Sequence, residues 1–441
     1  MSIDKRIIIS GLLVFTLHFA IKAQEPLHFY IREALENNGL IREQKAWIEE
    51  KKSGLALANK NWSPEIDFGT NYTLAAGGRS IAFPIGDLLN PAYSELNKLT
   101  NSSKFPTLEN QNVQFLPNNF YDARVRISQP VLRPEIKTNQ LIKKEQVGLQ
   151  EIQTEITIRD VTKDVKKAYY QYLQASELIK ILDQSLVILQ ESERVSKSLI
   201  QNGVAIPSTL LRLESEKAKI TAQKFSAENQ RKDAAAFLNF LRGKSEDAVI
   251  EVITETRLPD PTGYGNDIKN EEISLLDKNL QIQQLAIDLE SKYNAPRLGA
   301  QVDLGSQNFN FKWGGYLLGG LQLEIPLWNN KKNLLKQNEI RAAMLAVKEK
   351  KSWAEQGIKL QIQTAKRQLE TAINNYQSYS PLLAMAKKYH NELMKRYKEG
   401  QASQIEIIDA LSQITFAETQ QSIAMYQAWS QAAELERLLK N

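Results

Sequence analysis

The sequence predicts a mainly α-helical fold with a smaller β part, in which long antiparallel coiled-coil helices accompany four β-strands. Three observations lead to this prediction. Long stretches lack proline, four short segments alternate apolar and polar residues, and the order of these segments occurs twice along the chain. Proline removes a backbone donor and clashes with the preceding turn, so its absence over tens of residues suits long helices.

The composition excludes several classes of protein. The 441 residues are 24% charged and 42% hydrophobic, and 56 basic residues nearly balance 51 acidic ones, without the basic stripe typical of nucleic-acid binding. Cysteine is absent, which excludes thiolate sites and disulfides. Only three histidines occur, so few residues could form a histidine site. No P-loop, His-Glu-x-x-His or Gly-x-Ser-x-Gly motif is found. We therefore expect no enzyme activity, no cofactor, no metal site and no nucleic-acid partner.

Residues 1–23 have the features of a secretory signal peptide. Lys5 and Arg6 form a basic start, an apolar run follows, and Ala23 precedes a plausible cleavage point. The run is shorter than the roughly 20 residues that a membrane-spanning helix needs. The sequence therefore predicts an exported protein.

Two long segments are predicted to be helices, at about 135–202 and 330–398. The first is rich in Glu, Lys, Gln, Leu and Ala, which are good helix formers. Its apolar residues recur at three- and four-residue spacing, which indicates an amphipathic, coiled-coil-like stripe. Ser380-Pro381 lies inside the second segment and resembles a helix start, so we expect a break or kink there.

Shorter helices complete the predicted helical part. They are expected at about 27–60, 205–243, 270–293 and 404–440. A connector at 244–268 contains Pro259 and Pro261 and a β-like run at 250–253.

Four segments have the period-two alternation of strands with one apolar face. Their lengths and pattern match those of membrane barrel strands, although a soluble sheet with one buried face has the same local pattern. The segments are 66–74, 121–128, 298–305 and 317–325.

Four strands are too few to close a barrel, because bacterial membrane barrels have at least about eight. Open strand edges cannot face lipid, where unpaired backbone groups cost several kcal/mol each. If the strands enter a membrane, several chains must share one barrel, and three chains would supply 12 strands.

An internal repeat organises the chain. Three segments of the first half recur in the same order in the second half, around Pro64 and Pro296, Pro130 and Pro326, and Gly203 and Gly400. We therefore predict a first repeat at 24–248 and a second at 249–441. The first repeat carries an extra segment at about 75–120, rich in Gly, Pro, Asn and Ser, which we expect to form an extracellular cap.

The ordered pattern resembles the TolC family of outer-membrane efflux channels. The resemblance covers nearly the whole mature chain and includes the opening segment 27–38, LHFYIREALENN, and the two glycine turns. It implies a homotrimer with a 12-stranded barrel in outer-membrane lipid and an α-helical tunnel through the periplasm. It also implies a periplasmic adaptor protein and an inner-membrane pump of the RND or ABC type as partners.

The resemblance also implies residues at the tunnel entrance. A tyrosine three residues before the second glycine is Tyr397, and the acids six and nine residues after it are Glu406 and Asp409. Three copies of these acids would form rings that favour cations. Alternatively, both are ordinary solvated acids on a helix face. Two further positions depart from the family's closing network, since Ala402 replaces an arginine and Thr209 an aspartate.

The glycine turns themselves are predicted to contact the adaptor. Glycine at a helix end accepts the left-handed conformation that reverses the chain. Small and apolar residues that could seat a partner hairpin follow each glycine, although a plain turn would need only the glycine. The residues concerned are Gly203, Val204 and Ala205 at the first turn, and Gly400, Ala402 and Ser403 at the second.

The function predicted from the resemblance is the exit duct of a tripartite efflux or type I secretion system. The main alternative is a secreted structural coiled-coil protein without transport activity, which explains the helices but not the repeat-matched strands. A periplasmic adaptor is a second alternative, but it would need more strands. The sequence leaves the transported substrate open among drugs, metal ions and proteins.

Overall fold

The computed structural model describes residues 26–116, 118–252, 257–264 and 270–439. The predicted signal peptide lies outside the described residues. The elements, in chain order, are α1 (Pro26–Asn37), α2 (Gly39–Lys60), β1 (Glu65–Thr73), β2 (Ser80–Phe83), α3 (Ile85–Leu99), β3 (Gln111–Gln114), β4 (Phe120–Leu132), α4 (Pro134–Gln201), α5 (Ser208–Leu241), a 3₁₀ turn (Pro261–Gly263), α6 (Glu271–Ser291), β5 (Arg297–Phe309), β6 (Gly315–Glu324), α7 (Lys332–Lys398) and α8 (Gln404–Leu439).

These elements form two compact units. The helical unit contains the chain up to Lys51, Val147–Leu280 and Leu345 onward. The sheet unit contains Lys52–Gln146 and Gln281–Met344. The long helices and all four predicted strands are present, which confirms the predicted mixture of long helices and a small sheet.

The helical unit packs as coiled coils. In α5 the buried residues Leu213, Ile220, Ala227, Ala234 and Leu241 follow one another at intervals of seven. A seven-residue apolar repeat keeps one seam of a helix facing its partners, which is the packing of a coiled coil. The described residues of this unit form four buried clusters, and the one nearest the helix turns contains Val195, Leu393, Tyr397, Ile407 and Ala410.

The N-terminal helix is interrupted at Asn38, whereas a single helix at 27–60 was predicted. The Asn38 Oδ1 accepts a hydrogen bond from the Leu40 N–H at 2.9 Å, and its Nδ2 donates to the Leu241 carbonyl at 3.0 Å. The side chain therefore competes with the helix backbone and also satisfies the end of α5.

Of the break or kink expected at Pro381, the break is wrong, because α7 runs without interruption from Lys332 to Lys398. The kink stays a prediction. Proline leaves one carbonyl of the preceding turn without its helical donor. Buried residues lie on both sides of it, including Ile373 and Ala386, so packing of the helix stabilises the continuous conformation.

The β-like run at 250–253 is not a strand in its described part, Ile250–Val252. Ile250 is buried in a helical cluster. The Glu251 N–H and carbonyl are hydrogen-bonded to the Tyr30 hydroxyl, at 2.6 and 3.0 Å. The backbone of this segment is thus paired with a side chain rather than with another strand.

The sheet unit contains one four-stranded antiparallel sheet in the order β1-β4-β5-β6. The central strands β4 and β5 are 13 residues long and extend beyond the predicted segments. The predicted segment 121–128 ends before Pro130, and proline cannot donate to a strand ladder. The sheet accommodates it through a register shift between Pro130 and Leu132.

The segment at 75–120, which was expected to form an extracellular cap, contains one helix and two strands. β2 and β3 pair in an antiparallel ladder, and α3 lies between them in sequence.

Candidate functional site

The first helix turn ends α4 at Gly203, which has a φ of 74°. The Gly203 N–H donates to the Ile200 carbonyl at 3.0 Å, and the Val204 N–H donates to the Leu199 carbonyl at 2.8 Å. This pair of bonds is a Schellman motif, which satisfies the last carbonyls of a helix and needs the left-handed conformation at its glycine.

The second helix turn repeats this geometry at the end of α7. Gly400 also has a φ of 74°. Its N–H donates to the Tyr397 carbonyl at 3.0 Å, and the Gln401 N–H donates to the Arg396 carbonyl at 2.8 Å. The two predicted glycine turns therefore have the same backbone structure.

The two turns touch each other within the helical unit. A Cβ added at Gly400 would lie 3.2 Å from the Val204 Cγ1. Lys398 Nζ lies 3.6 Å from a carboxylate oxygen of Glu191 on α4. The pairs of helices that end at the turns are thus held together by an apolar contact and an exposed ion pair.

Tyr397 is buried rather than free at the surface. Its side chain is 3% exposed and belongs to the cluster with Val195, Leu393 and Ile407. Its hydroxyl lies 2.7 Å from the Ser196 hydroxyl. Since the Ser196 hydroxyl donates to the Ser192 carbonyl, it accepts from Tyr397.

Ser196 is the residue at this site that sequence reasoning missed. It is fully buried on α4 and connects that helix to α7 through Tyr397. The only sequence signal is the spacing of Ser192 and Ser196, one helical turn apart, among apolar residues of the stripe.

Glu406 and Ser403 form a capping box at the start of α8. The Glu406 carboxylate accepts from the Ser403 N–H at 2.7 Å and from its hydroxyl at 2.9 Å. The Glu406 N–H donates back to the Ser403 hydroxyl at 3.3 Å. The bonds from the Ser403 backbone and hydroxyl lower the pKa of Glu406, so this acid is ionised at neutral pH.

The remaining predicted residues lie around the same two turns. Asp409 is exposed on α8, and one of its oxygens accepts from the Gln413 Nε2 at 3.0 Å. Val204 is 59% exposed, and Ala205 and Ala402 are half-buried. The structure therefore brings both turns, the two acids and Tyr397 to one end of the helical unit.

One face of the four-stranded sheet is polar. Arg126 on β4 lies directly opposite Asp303 on β5 and donates to both carboxylate oxygens, at 2.9 and 2.8 Å. Asp122 accepts from Arg124 at 2.6 Å and from the Tyr316 hydroxyl at 2.8 Å. Charged groups on this face are thus paired, Arg126 with Asp303 across two strands and Arg124 with Asp122 within β4.

The other face of the sheet is apolar and uncovered in one chain. Phe68 is 72% exposed and Leu321 is 76% exposed. Large exposed apolar patches mark surfaces that contact lipid or another protein. The apolar residues of this face are Ile66, Phe68, Tyr72, Val125, Ile127, Val302, Leu304, Leu317, Leu321 and Leu323.

Two further features are absent from the described residues. In that part of the chain no helix combines the length and the apolar composition needed to cross a membrane. Nor do His, Asp and Glu side chains of these ranges gather in a group of three or more that could hold a metal ion.

Comparison with known structures identifies the fold. An outer-membrane channel CmeC from Campylobacter jejuni is 13% identical and superposes with a TM-score of 0.75, over 94% of this chain and 85% of that one. The outer membrane protein VceC from Vibrio cholerae is 10% identical, with a TM-score of 0.73 over 94% and 95%. The open MtrE outer membrane channel from Neisseria gonorrhoeae is 14% identical, with a TM-score of 0.72 over 94% and 88%.

The fold is therefore that of the TolC-like outer-membrane channels. Residues 30–244 match the family model described as outer membrane efflux protein. This match covers 215 of the 441 residues, so the likeness to that family lies in the first half of the chain. A search of curated proteins found no match.

Proposed function

We propose that three copies of this chain form an efflux channel, with a shared 12-stranded barrel in the outer membrane and a helical tunnel in the periplasm. Residues 1–23 direct export, and 24–248 and 249–441 are the two structural repeats. The channel is the exit duct of a tripartite efflux or type I secretion system. It receives substrate from an adaptor and from an inner-membrane pump of the RND or ABC type.

The observation that carries this proposal is the chemistry of the sheet. One face is apolar and exposed, and the other holds paired charges such as Arg126 and Asp303. Transmembrane barrels have this alternation, with the apolar side chains toward lipid and the polar ones toward the lumen. The strands β1 and β6 each have one unpaired edge, which neighbouring copies would pair.

Aromatic residues at both ends of the strands support the same placement. At one end Phe311 stacks on Tyr72 and Tyr121, and Trp313 is 83% exposed. At the other end, just after β6, Trp328 is 81% exposed. Membrane barrels carry aromatic girdles at both interfaces, so an apolar band between two aromatic ends fits a bilayer.

The two helix turns would form the periplasmic mouth. Threefold symmetry would repeat Glu406 and Asp409 around it and favour cations. The exposed Val204, with Ala205, Ala402 and Ser403, would offer the adaptor a small apolar surface. The contact between Val204 and Gly400 supports a single docking surface made from both turns.

Conductance of the purified mature protein in a planar lipid bilayer tests the proposal. We expect discrete cation-selective steps from the wild type. Glu406→Gln combined with Asp409→Asn should reduce cation selectivity, and glutamine keeps the acceptor that the capping box needs. Glu349→Gln combined with Glu370→Gln removes two exposed acids of α7 and is the matched control.

Each outcome has a distinct meaning. Loss of selectivity in the turn variant but not in the control supports the channel and its acidic mouth. If the turn variant conducts with unchanged selectivity, the proposed channel is supported but the proposed role of Glu406 and Asp409 is rejected. Absence of conductance from an elongated soluble particle favours the structural coiled-coil protein instead.

A further inference from the structure

We propose that the αβ segment between β1 and β4 joins neighbouring protomers outside the barrel. The apolar side of α3 in one copy would bind the apolar face of the β2–β3 ladder in the next copy. This inference rests on the trimer of the proposed function and adds a second contact to it.

Hydrogen bonds within the segment hold α3 against residues 105–108. Asn90 on α3 exchanges two hydrogen bonds with the Leu108 backbone, at 2.8 and 2.9 Å. Asn97 exchanges two with the Phe105 backbone, at 2.7 and 3.1 Å. Each asparagine imitates a strand partner, so residues 105–108 are tied along one side of α3.

The apolar side of α3 is uncovered. Leu88 is 71% exposed and Leu99 is 81% exposed, and Leu89, Ala92 and Leu96 lie between them at helical spacing. These residues occupy one stripe of about 100° around the helix axis. Ser94 lies on the opposite side. The asparagine bonds hold the helix in place without covering the stripe.

The β2–β3 ladder provides a second, separate apolar face. Ile81 pairs with Val113, so both side chains point to the same side of the ladder. Phe83 and Phe115 continue that side, and all four residues are between 44% and 60% exposed. One protomer therefore carries two different apolar surfaces within some 46 residues.

Two different surfaces are what a threefold contact requires. In a ring each copy uses one surface toward the copy ahead and the other toward the copy behind, which is a heterologous interface. The segment starts just after β1, an edge strand of the sheet. It is therefore continuous with the seam at which a neighbouring copy would pair in the proposed barrel.

The charges favour a protein partner over lipid. Helices that lie on anionic membrane surfaces are rich in Lys and Arg on their polar side. The segment is instead balanced, with three basic and three acidic residues: Arg79, Lys98, Lys104, Asp87, Glu95 and Glu109.

Crosslinking tests this contact, since the chain contains no cysteine. Leu88→Cys combined with Ile81→Cys is treated with a short bismaleimide in detergent and separated on a denaturing gel. The matched control is Ser94→Cys combined with Ala82→Cys, which places exposed thiols on the opposite faces of the same elements. Light scattering measures the mass of each untreated sample.

We expect covalent dimers and trimers from the first variant, and only monomers from the control and from each single variant. A trimeric mass without covalent dimers or trimers overturns the inference and leaves the proposed channel intact. A monomeric mass overturns the proposed trimer itself. Quenching of a fluorophore at Leu88→Cys by lipid-borne nitroxides would place the stripe in lipid and also contradict the inference.

Discussion

The Tyr397 hydroxyl on α7 donates a hydrogen bond to the Ser196 hydroxyl on α4 across 2.7 Å, inside a buried apolar cluster. This hydrogen bond connects the two long helices a short distance before both turns. It is neutral, so salt does not screen it as it would screen the exposed pair of Lys398 and Glu191.

Removing this hydroxyl should loosen the turns. Tyr397→Phe is expected to cost about 1 kcal/mol of local stability, the usual net value of a protein hydrogen bond. Hydrogen exchange of the peptides that contain the turns should become about fivefold faster. Combining Ser196→Ala with Tyr397→Phe should accelerate exchange little beyond Tyr397→Phe alone, because both changes remove the same hydrogen bond.

The exposed Tyr389 on the same helix provides the control for that experiment. Tyr389→Phe should leave exchange at the turns unchanged. Additive effects of Tyr397→Phe and Ser196→Ala would contradict the pairing of the two hydroxyls.

Alanine at the turn glycines should destabilise both turns. Gly203→Ala and Gly400→Ala place a side chain at a φ of 74°, which costs roughly 1–2 kcal/mol. Gly400→Ala should cost more, because its Cβ also meets Val204. Gly357→Ala is the control, since this helical position has open space around it and alanine should stabilise it by roughly 0.5–1 kcal/mol.

Hydrogen exchange across the two turns measures these costs. Equal protection in Gly203→Ala, Gly400→Ala and the wild type would show that neither turn depends on the left-handed conformation.

Acid should weaken the helical unit near the turns through His390. This side chain is 6% exposed, and its Nε2 has no hydrogen-bond partner among the described residues. Burial lowers the pKa of His390 below its ordinary value of about 6.5. The unfolded chain then binds more protons than the folded one, so stability falls as the pH drops through about 6.5.

Thermal unfolding between about pH 7.5 and 5.5 checks the sign of this effect. His390→Gln should reduce the loss of stability in acid, whereas His28→Gln should retain it. A loss of equal size in His390→Gln and the wild type would assign the effect to other groups.

The ion pair across β4 and β5 should stabilise the sheet. Asp303→Ala removes the carboxylate that accepts two hydrogen bonds from Arg126. We expect the proposed trimer to dissociate at a lower temperature on denaturing gels. Exchanging the pair, as Arg126→Asp with Asp303→Arg, should restore much of the loss because the residues lie directly opposite each other.

Glu65→Ala changes an exposed acid at the start of β1 and is the control for the ion pair. If Glu65→Ala lowered the dissociation temperature as much as Asp303→Ala, the effect would come from the loss of a negative charge and not from the loss of the ion pair.

The elements of this fold were predictable because each rests on a local pattern. The stripe of α4, the alternation in β1 and the glycines at 203 and 400 all depend on neighbouring residues. The continuity of α7 through Pro381 was not predictable, since it depends on packing of residues on both sides. The segment at 75–120 was predicted only as an extracellular cap rich in Gly, Pro, Asn and Ser, and its helix and strands were not predicted. They depend on contacts such as those of Asn90 and Asn97 with the backbone of Leu108 and Phe105.

The candidate site also combines features that a local pattern predicts with one that depends on packing. The turns and the position of Glu406 near the second turn follow from spacing, and Ser403-x-x-Glu406 is a local capping signature. The partner of Tyr397 is 201 residues away along the chain. No local pattern identifies Ser196 as that partner, because only the register of α4 against α7 brings the two together.

The most direct test of the proposed channel is whether β1 of one copy lies beside β6 of another. In the cysteine-free chain, Thr70→Cys on β1 is combined in turn with cysteine at each position from 317 to 323 on β6, and disulfides are formed by mild oxidation. We expect covalent trimers for one register of positions, and none when Ala123→Cys on the internal strand β4 replaces Thr70→Cys. Monomers alone at every β6 position would contradict a barrel closed between copies.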